Sequence, residues 1–289
     1  MKRLLILSGK GGTGKTTTAA AFLHFSHAEA AADCDVDAPN LHLVSKMKAE
    51  PESSIFYGSD KAVIDPELCI GCGACVRHCR FHAIQQEDTV CKVIDYACEG
   101  CGVCAHICPK KAVALHQDEA GTKTLYQGAP VFSTAMLKMG RGNSGKLVTE
   151  VKVAMLEAAP KEGLAIIDGS PGIGCPVIAS VSGVDLVLIV AEPSLSGASD
   201  LERLLRTASI LQTKVSVCVN KYDTSPQQTK AIETLCAEHQ VPFLGKIPYD
   251  KHVAQAINEG ASVAEYDCPA KEALYHVYQG AMSILNGRT

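Results

Sequence analysis

The sequence has no Lys/Arg-rich tract, and its formal net charge is −4. That balance argues against a general nucleic-acid binder, which carries a basic face. Long apolar runs are also missing. The longest beyond the N-terminus, Val184 to Ala191, is interrupted by Asp185 and falls far short of the roughly 20 residues that span a bilayer, so stable membrane insertion is not expected. Nor does the N-terminus read as a secretory signal. Met1-Lys2-Arg3-Leu4-Leu5-Ile6-Leu7 is a short apolar stretch that runs straight into a glycine loop, as a strand does. The cytoplasm is the expected compartment, where disulfides are rare. What the chain does have is cysteine, 14 in 289 residues, and clustered cysteines in that compartment point to metal. With 47% apolar residues it can also bury a full core, enough for one large α/β domain and a small extra module.

Eight of the cysteines lie between Cys69 and Cys108 at regular spacings, with a ninth, Cys91, between the two groups. The stretch is an internal repeat. Val63-Ile64-Asp65 precedes Cys69, Cys72, Cys75 and Cys79; Val93-Ile94-Asp95 precedes Cys98, Cys101, Cys104 and Cys108, at an offset of 29 residues. Both halves close on an Ala plus β-branched pair, Ala83-Ile84 and Ala112-Val113, so duplication is the economical reading.

Outside this stretch, strands and helices alternate. Arg3 to Leu7, Leu164 to Ile167, Leu186 to Val190 and Val215 to Val219 are continuous apolar runs, the pattern of strands covered on both faces. Helices are expected at Lys15 to Phe25, Ser199 to Leu211, Gln227 to His239 and Ala270 to Leu285. The expected fold class is therefore α/β, a doubly wound, mostly parallel sheet interrupted by the cysteine module. The sheet domain is assigned to 1–56 and 128–289, and the insert to 57–127.

Gly9-Lys10-Gly11-Gly12-Thr13-Gly14-Lys15-Thr16 satisfies the G-x-x-x-x-G-K-[ST] template between a strand and a helix. Gly11, Gly12, Thr13 and Gly14 would present backbone N–H groups to phosphate oxygens, and Thr17 continues this wall into the helix. Lys15 would reach the β/γ-phosphates and Thr16 would give its hydroxyl to Mg²⁺. ATP and Mg²⁺ are the expected ligands.

The early lysine, Lys10, gives the loop the form Lys-Gly-Gly-Thr-Gly-Lys-Thr, which resembles the deviant Walker A motif of the MinD/ParA/Mrp ATPases, shared with the nitrogenase iron protein. That resemblance implies that Lys10 reaches across a dimer interface to the partner's nucleotide. Asp33-Cys34-Asp35-Val36-Asp37 is similar to the family's second-strand acidic motif, which implies Asp33 near Mg²⁺ and the attacking water and Asp35 in the adjacent switch. The strand before it, Ala30-Ala31-Ala32, is shorter and less apolar than the pattern. Asp168, followed by Gly169-Ser170-Pro171-Gly172, resembles a Walker B aspartate that holds Mg²⁺ through water. Asn220 resembles the family's adenine-reading asparagine, and Pro248 and Asp250, in Ile247-Pro248-Tyr249-Asp250, its loop over the base. The last helix resembles a membrane anchor in its Leu274, Val277, Tyr278, Met282 and Leu285 stripe, but lacks the basic face an anchor needs, so it is expected to pack on the sheet.

Each half of the repeat has the bacterial ferredoxin spacing C-x₂-C-x₂-C-x₃-C, in which the fourth cysteine ligates the other cluster. Cys69, Cys72, Cys75 and Cys108 are thus expected to hold one [4Fe–4S] cluster, and Cys98, Cys101, Cys104 and Cys79 the second. Zinc competes for such thiolates, but zinc sites come as paired C-x₂-C knuckles rather than four-cysteine runs. Pro109 follows Cys108 as in ferredoxins, whereas Arg80 follows Cys79 and puts a cation near one cluster.

Together these features resemble the MinD-superfamily ATPases with an inserted α+β bacterial-type ferredoxin domain. The resemblance implies an ATPase that dimerises on ATP, as a homodimer or with a paralogue, and works with a redox or metal-cofactor partner protein. Three functions stay open: ATP-gated electron transfer, Fe–S or metal-cofactor assembly, and a redox-sensing positioning ATPase. Cys175, seven residues after Asp168, matches the spacing of a cluster ligand in the nitrogenase iron protein, but a small buried residue at a helix start is the expected reading. Cys34 is expected to be inert on the same ground, and Cys91, Cys218, Cys236 and Cys268 structural. His78, His82 and His106 are expected on the surface.

Overall fold

The computed structural model describes residues 1–47 and 49–287. Its strands are β1 (Lys2–Leu7), β2 (Ala30–Asp33), β3 (Pro51–Tyr57), β4 (Lys61–Ile64), β5 (Ile84–Glu87), β6 (Val90–Val93), β7 (Val113–His116), β8 (Glu119–Tyr126), β9 (Val131–Leu137), β10 (Leu164–Asp168), β11 (Leu186–Ala191), β12 (Val215–Asn220) and β13 (Phe243–Ile247). Its helices are α1 (Lys15–Ser26), α2 (Leu41–Val44), α3 (Ala74–His78), α4 (Val103–Ile107), α5 (Ser144–Ala158), α6 (Cys175–Val181), α7 (Leu195–Ile210), α8 (Pro226–Glu238), α9 (Lys251–Asn258) and α10 (Pro269–Leu285).

Contacts divide the chain into two compact units: Met1–Ser53, Lys123–Met136 and the chain from Ser144 onward; and Ser54–Thr122 with Leu137–Asn143. The boundaries fall inside strands β3, β8 and β9. The second unit overlaps the expected insert over 57–122, but also takes in 137–143. Arg141 fixes that segment, pairing with Asp95 at 2.6 Å and Asp118 at 3.1 Å.

Nine strands form one sheet in the order β13-β12-β11-β1-β10-β2-β9-β8-β3. The pairs β1–β10, β1–β11, β10–β2, β11–β12, β12–β13 and β2–β9 are parallel. This is the expected mostly parallel sheet, and its centre is where the apolar runs predicted it. Leu4, Leu5 and Ile6 of β1 and all of β10 and β11 are buried, because helices cover both faces. The alanine strand β2 is also wholly buried. Small side chains suit a strand covered by α5. As expected, α10 packs on the sheet, burying Leu274, Val277 and Leu285 while contacting β13 and α1. No helix among the described residues is long and apolar enough to cross a membrane.

The second unit is built from the repeat. β4 and β6, α3 and α4, and β5 and β7 begin at 61 and 90, 74 and 103, and 84 and 113, each pair 29 residues apart. β4 pairs antiparallel with β7, and β5 with β6. Gly71 and Gly100 mark equivalent turns with φ of 60° and 66°. A Cβ there would lie 2.4 Å from the Thr89 carbonyl oxygen and 1.9 Å from that of Asp60, so only glycine fits either turn.

Candidate functional site

The loop from Ser8 to Gly14 leaves β1 at the C-terminal edge of the parallel sheet and opens α1, so the helix N-terminus faces the space above the strands. A cavity of about 520 Å³ lies there, lined by Lys10, Gly11, Gly12, Gly14, Lys15, Thr16 and Thr17 together with Asp35, Asn220 and Ile247. Gly14 has φ 95°, and a Cβ on it would stand 2.2 Å from the Asn220 side-chain nitrogen. Thr13 is buried with its hydroxyl lacking a hydrogen-bond partner, an orphaned group at a loop shaped for an anion. The cavity and its glycine-lined wall fit a nucleotide.

Lys15 and Asp168 meet in the buried floor. Lys15 Nζ lies 2.7 Å from Asp168 Oδ1, and the Thr16 hydroxyl donates to Asp168 Oδ2 at 2.7 Å. Burial works to lower the Lys15 pKa, but the charge and hydrogen bond of Asp168 outweigh it and hold the ammonium above its ordinary value. Lys15 also stands 3.7 Å from Asp35. Two carboxylates, one hydroxyl and one ammonium are thus paired with one another in a single cluster.

The two aspartates of the second-strand motif divide their work. Asp33 is fully buried and its oxygens accept backbone N–H bonds from Asp35 (3.0 Å), Asn40 (2.8 Å) and Leu41 (2.9 Å). Burial, then the charge of Asp168, pushes its pKa up to about 7. Asp33 shapes the loop from within, while Asp35 is the carboxylate on the cavity wall. The turn after Asp168 is tied to this loop: Cys34 N–H donates to the Asp168 carbonyl at 2.8 Å, and the Ser170 hydroxyl to the Cys34 carbonyl.

The other expected contacts separate in the same way. Asn220 lines the cavity and donates to the Thr13 carbonyl at 2.8 Å, bracing the phosphate loop. Pro248 and Asp250 do not line it; Ile247, Val253 and Ile257 do. Asp250 instead caps two helices, accepting from His252 N at 3.0 Å and Ala270 N at 3.2 Å. Asp250, His252 and Cys268 bring three ligand atoms within 4.8 Å of one another, but both carboxylate oxygens are already committed to the caps, which accounts for the group as a structural hub. Glu192 was not among the expected site residues, although Glu192 to Gly197 resembles the family, and its carboxylate holds Lys10 Nζ at 2.6 Å and faces Lys221 at 3.6 Å. The two lysines draw its pKa below the ordinary value.

Within the second unit the cysteines converge on two cavities. Cys69, Cys72, Cys75 and Cys108 line one, with Cys91. Cys98, Cys101, Cys104 and Cys79 line the other. In each, three thiols come from one half of the repeat and the fourth from the other half. Backbone N–H groups already point at the sulfurs: Ala83 to Cys79 and Ala112 to Cys108, both at 3.3 Å. The Cys91 N–H and then the Gly71 N–H hold the Cys69 thiol below its ordinary pKa. Four convergent soft ligands with N–H donors fit a cubane iron–sulfur cluster. His78, His82 and His106 are exposed, and Cys91, Cys218, Cys236 and Cys268 buried, as expected. Cys34 is sealed, its thiol pushed up to about 12 by burial. Cys175 corrects the reading as a small buried residue: it is exposed at the first turn of α6, ahead of the positions Val177, Ser180 and Val181 that the helix buries.

The profile of the CobQ/CobB/MinD/ParA nucleotide binding domain matches residues 4–263. The chain belongs to this family. It is 30% identical to an uncharacterized protein of Methanocaldococcus jannaschii over 282 residues, covering 96% of this chain and 95% of that one. An uncharacterized ATP-binding protein of the same organism is 25% identical, over 95% of this chain and 85% of its own length. A ferredoxin of Pyrobaculum islandicum is 36% identical over 56 residues, which is 19% of this chain and 52% of that protein. The cell division ATPase MinD of Pyrococcus furiosus has the same fold, with a TM-score of 0.56 at 18% identity over 98% of this chain and 99% of that one. The match to a nucleotide binding domain spans both the loop from Gly9 to Thr16 and most residues that line the cavity above β1.

Proposed function

We propose that this MinD/ParA-type protein is a Mg²⁺-dependent ATPase that carries two [4Fe–4S] clusters and couples a nucleotide-driven dimer switch to one-electron transfer to a partner protein. The observation that carries the reading is the pairing of the two site types in one chain: a phosphate loop whose lysine and threonine meet Asp168, and two cavities each walled by four cysteines.

Lys15, Thr16 and the loop amides would bind the phosphates, with Asp168 and Thr16 as the oxygen ligands that hold Mg²⁺. The metal supplies charge neutralisation for the transferring phosphoryl group. Lys15 must release Asp168 to reach the nucleotide, and Asp35, which faces it across 3.7 Å, stands on the cavity wall to orient water. Lys10 is held within its own chain by Glu192. Reaching a partner subunit's nucleotide would require giving up that ion pair, so Glu192 favours the monomer until ATP offers a stronger anion.

Electron transfer is favoured over cofactor delivery because each cavity is completed by thiols of one chain, with N–H donors to the sulfurs; cargo sites need labile, shared ligands. The test is anaerobic purification, with reduction potentials and iron content recorded with and without MgATP. Potentials that move with nucleotide while iron stays at about eight per chain support the reading. Fixed potentials with iron passing to an apo-acceptor would assign the chain to cofactor assembly instead.

A further inference from the structure

The two halves of the cysteine unit match in nearly everything that tunes a cluster. Their ligands correspond at the 29-residue offset, and so do the donors to those ligands. Cys91 N–H points at Cys69 Sγ from 3.4 Å, and its counterpart Ala62 N–H points at Cys98 Sγ from 3.5 Å. The bonds from Ala83 and Ala112 are equal at 3.3 Å. These four backbone bonds therefore cancel between the sites.

The side chains at the matched pair do not cancel. Ala62 offers a methyl group, whereas Cys91 offers a thiol, 4% exposed, on the wall of the first cavity. That thiol shares a small buried core with Cys75, and Cys69 packs against the same core. No equivalent fifth thiol lines the second cavity. A second difference acts in the same direction. Lys110 lines the first cavity and Glu99 the second. Donors to sulfur and nearby cations stabilise the extra negative charge of a reduced cluster, and a carboxylate opposes it. Two cations act the other way: Arg80, beside Cys79, is exposed and does not line the second cavity, and Lys61 donates to the Cys98 carbonyl, so the charges offset one another and the thiol is the difference left.

We propose that Cys91 makes the two cluster sites unequal, its thiol donating to the ligand sulfurs of the first site so that a single electron entering the unit rests there rather than at the second site. This rests on the two-cluster reading. Electron passage from the second site to the first takes one cluster from the 1+ to the 2+ state and the other from 2+ to 1+; no bond or proton moves. The first site is then the electron reservoir of the unit, and the second the port that fills or empties it.

The experiment is a redox titration of the full chain, prepared without oxygen and reduced with titanium(III), followed by electron paramagnetic resonance and by iron analysis. The wild-type protein is expected to show two separate reduction steps. Cys91→Ala is expected to keep about eight irons and to lower only the higher step, cutting the preference for the first site about tenfold, or ~59 mV for one electron. Cys91→Ser, which restores a donor, is expected to recover most of the separation. Ala62→Cys is expected to raise the lower step and narrow the gap. Unmoved steps in Cys91→Ala with iron intact would overturn the inference, as would loss of one cluster, since Cys91 would then be a ligand. Wild-type protein with no iron–sulfur signal would overturn the two-cluster reading itself, and iron analysis tells that failure apart from the others.

Discussion

The two units of this chain are held together by different chemistry. In the first, buried aliphatic strands do the work: β1, β10 and β11 bring Leu4 to Leu7, Leu164 to Ile167 and Leu186 to Val190 under helices on both faces. In the second, the fully buried side chains of the two small cores are Ala62, Ala83, Cys98 and Val113, and Cys75, Ile84 and Cys91. Three of those seven are cysteines. A unit of that size has a small apolar core, and small domains with so little to bury commonly lean on metal or disulfides. On the proposed function, the first unit folds around hydrocarbon and the second around the clusters its sulfurs would hold.

That contrast predicts its own largest effect. Stripping iron should unfold the second unit and leave the first intact, with new protease cuts confined to 54–122 and nucleotide binding retained. A protease-resistant cysteine unit without iron would break the comparison. Next in size is Lys15→Ala, which should lower ATP turnover at least ~100-fold by removing a charge from the phosphoryl site. The iron–sulfur absorbance of that variant should match wild type, and lost absorbance would mean the two sites are not separable.

A smaller effect is expected at Lys152, a buried lysine of α5. Its ammonium donates to the carbonyls of Ala179, Ser180 and Ser182 at the C-terminal end of α6, at 2.8, 2.7 and 2.6 Å. Lys152→Met should orphan those acceptors and destabilise the first unit by about 3 kcal/mol, read by chemical denaturation, with the cluster signals unchanged.

The mildest effect concerns pH. Asp33 has a folded pKa of about 7 against an ordinary 3.8, so between those values the nucleotide-free fold holds a proton that the unfolded chain has lost. Stability should therefore fall as pH rises through that window, by no more than about 1.4 kcal/mol per pH unit. Asp33→Asn should flatten the slope. A first unit that gains stability from pH 4 to 7 would show that Asp33 is ionised throughout.

Much of both units was legible because it is local. The phosphate loop is a run of consecutive residues whose glycines and Lys-Thr pair specify their own conformation. The central strands are continuous apolar runs, and the 29-residue repeat reappears element by element in β4 and β6, α3 and α4, and β5 and β7. What escaped was long-range. Residues 137–143 show no repeat or motif, yet Arg141 binds them to Asp95 and Asp118. Asp33 and Asp35 look alike in sequence, and only the path of the loop decides that one accepts backbone N–H groups while the other lines the cavity. The short strand β13 and helices α5, α6 and α9 were not placed from the sequence either, although α5 buries Leu147, Val148, Val151 and Met155 at helical spacing.

By itself, then, the sequence determined the parallel sheet, the phosphate loop and the duplicated cysteine unit, because spacing and hydrophobic period act over a few residues. Tertiary structure alone decided which carboxylate faces the cavity above β1, that Glu192 holds Lys10, that Cys175 is exposed, and that Cys91 lines the first cysteine cavity. Each of those is a matter of which distant backbone segments the packed core brings within hydrogen-bonding range, and no local pattern encodes a distance across the fold.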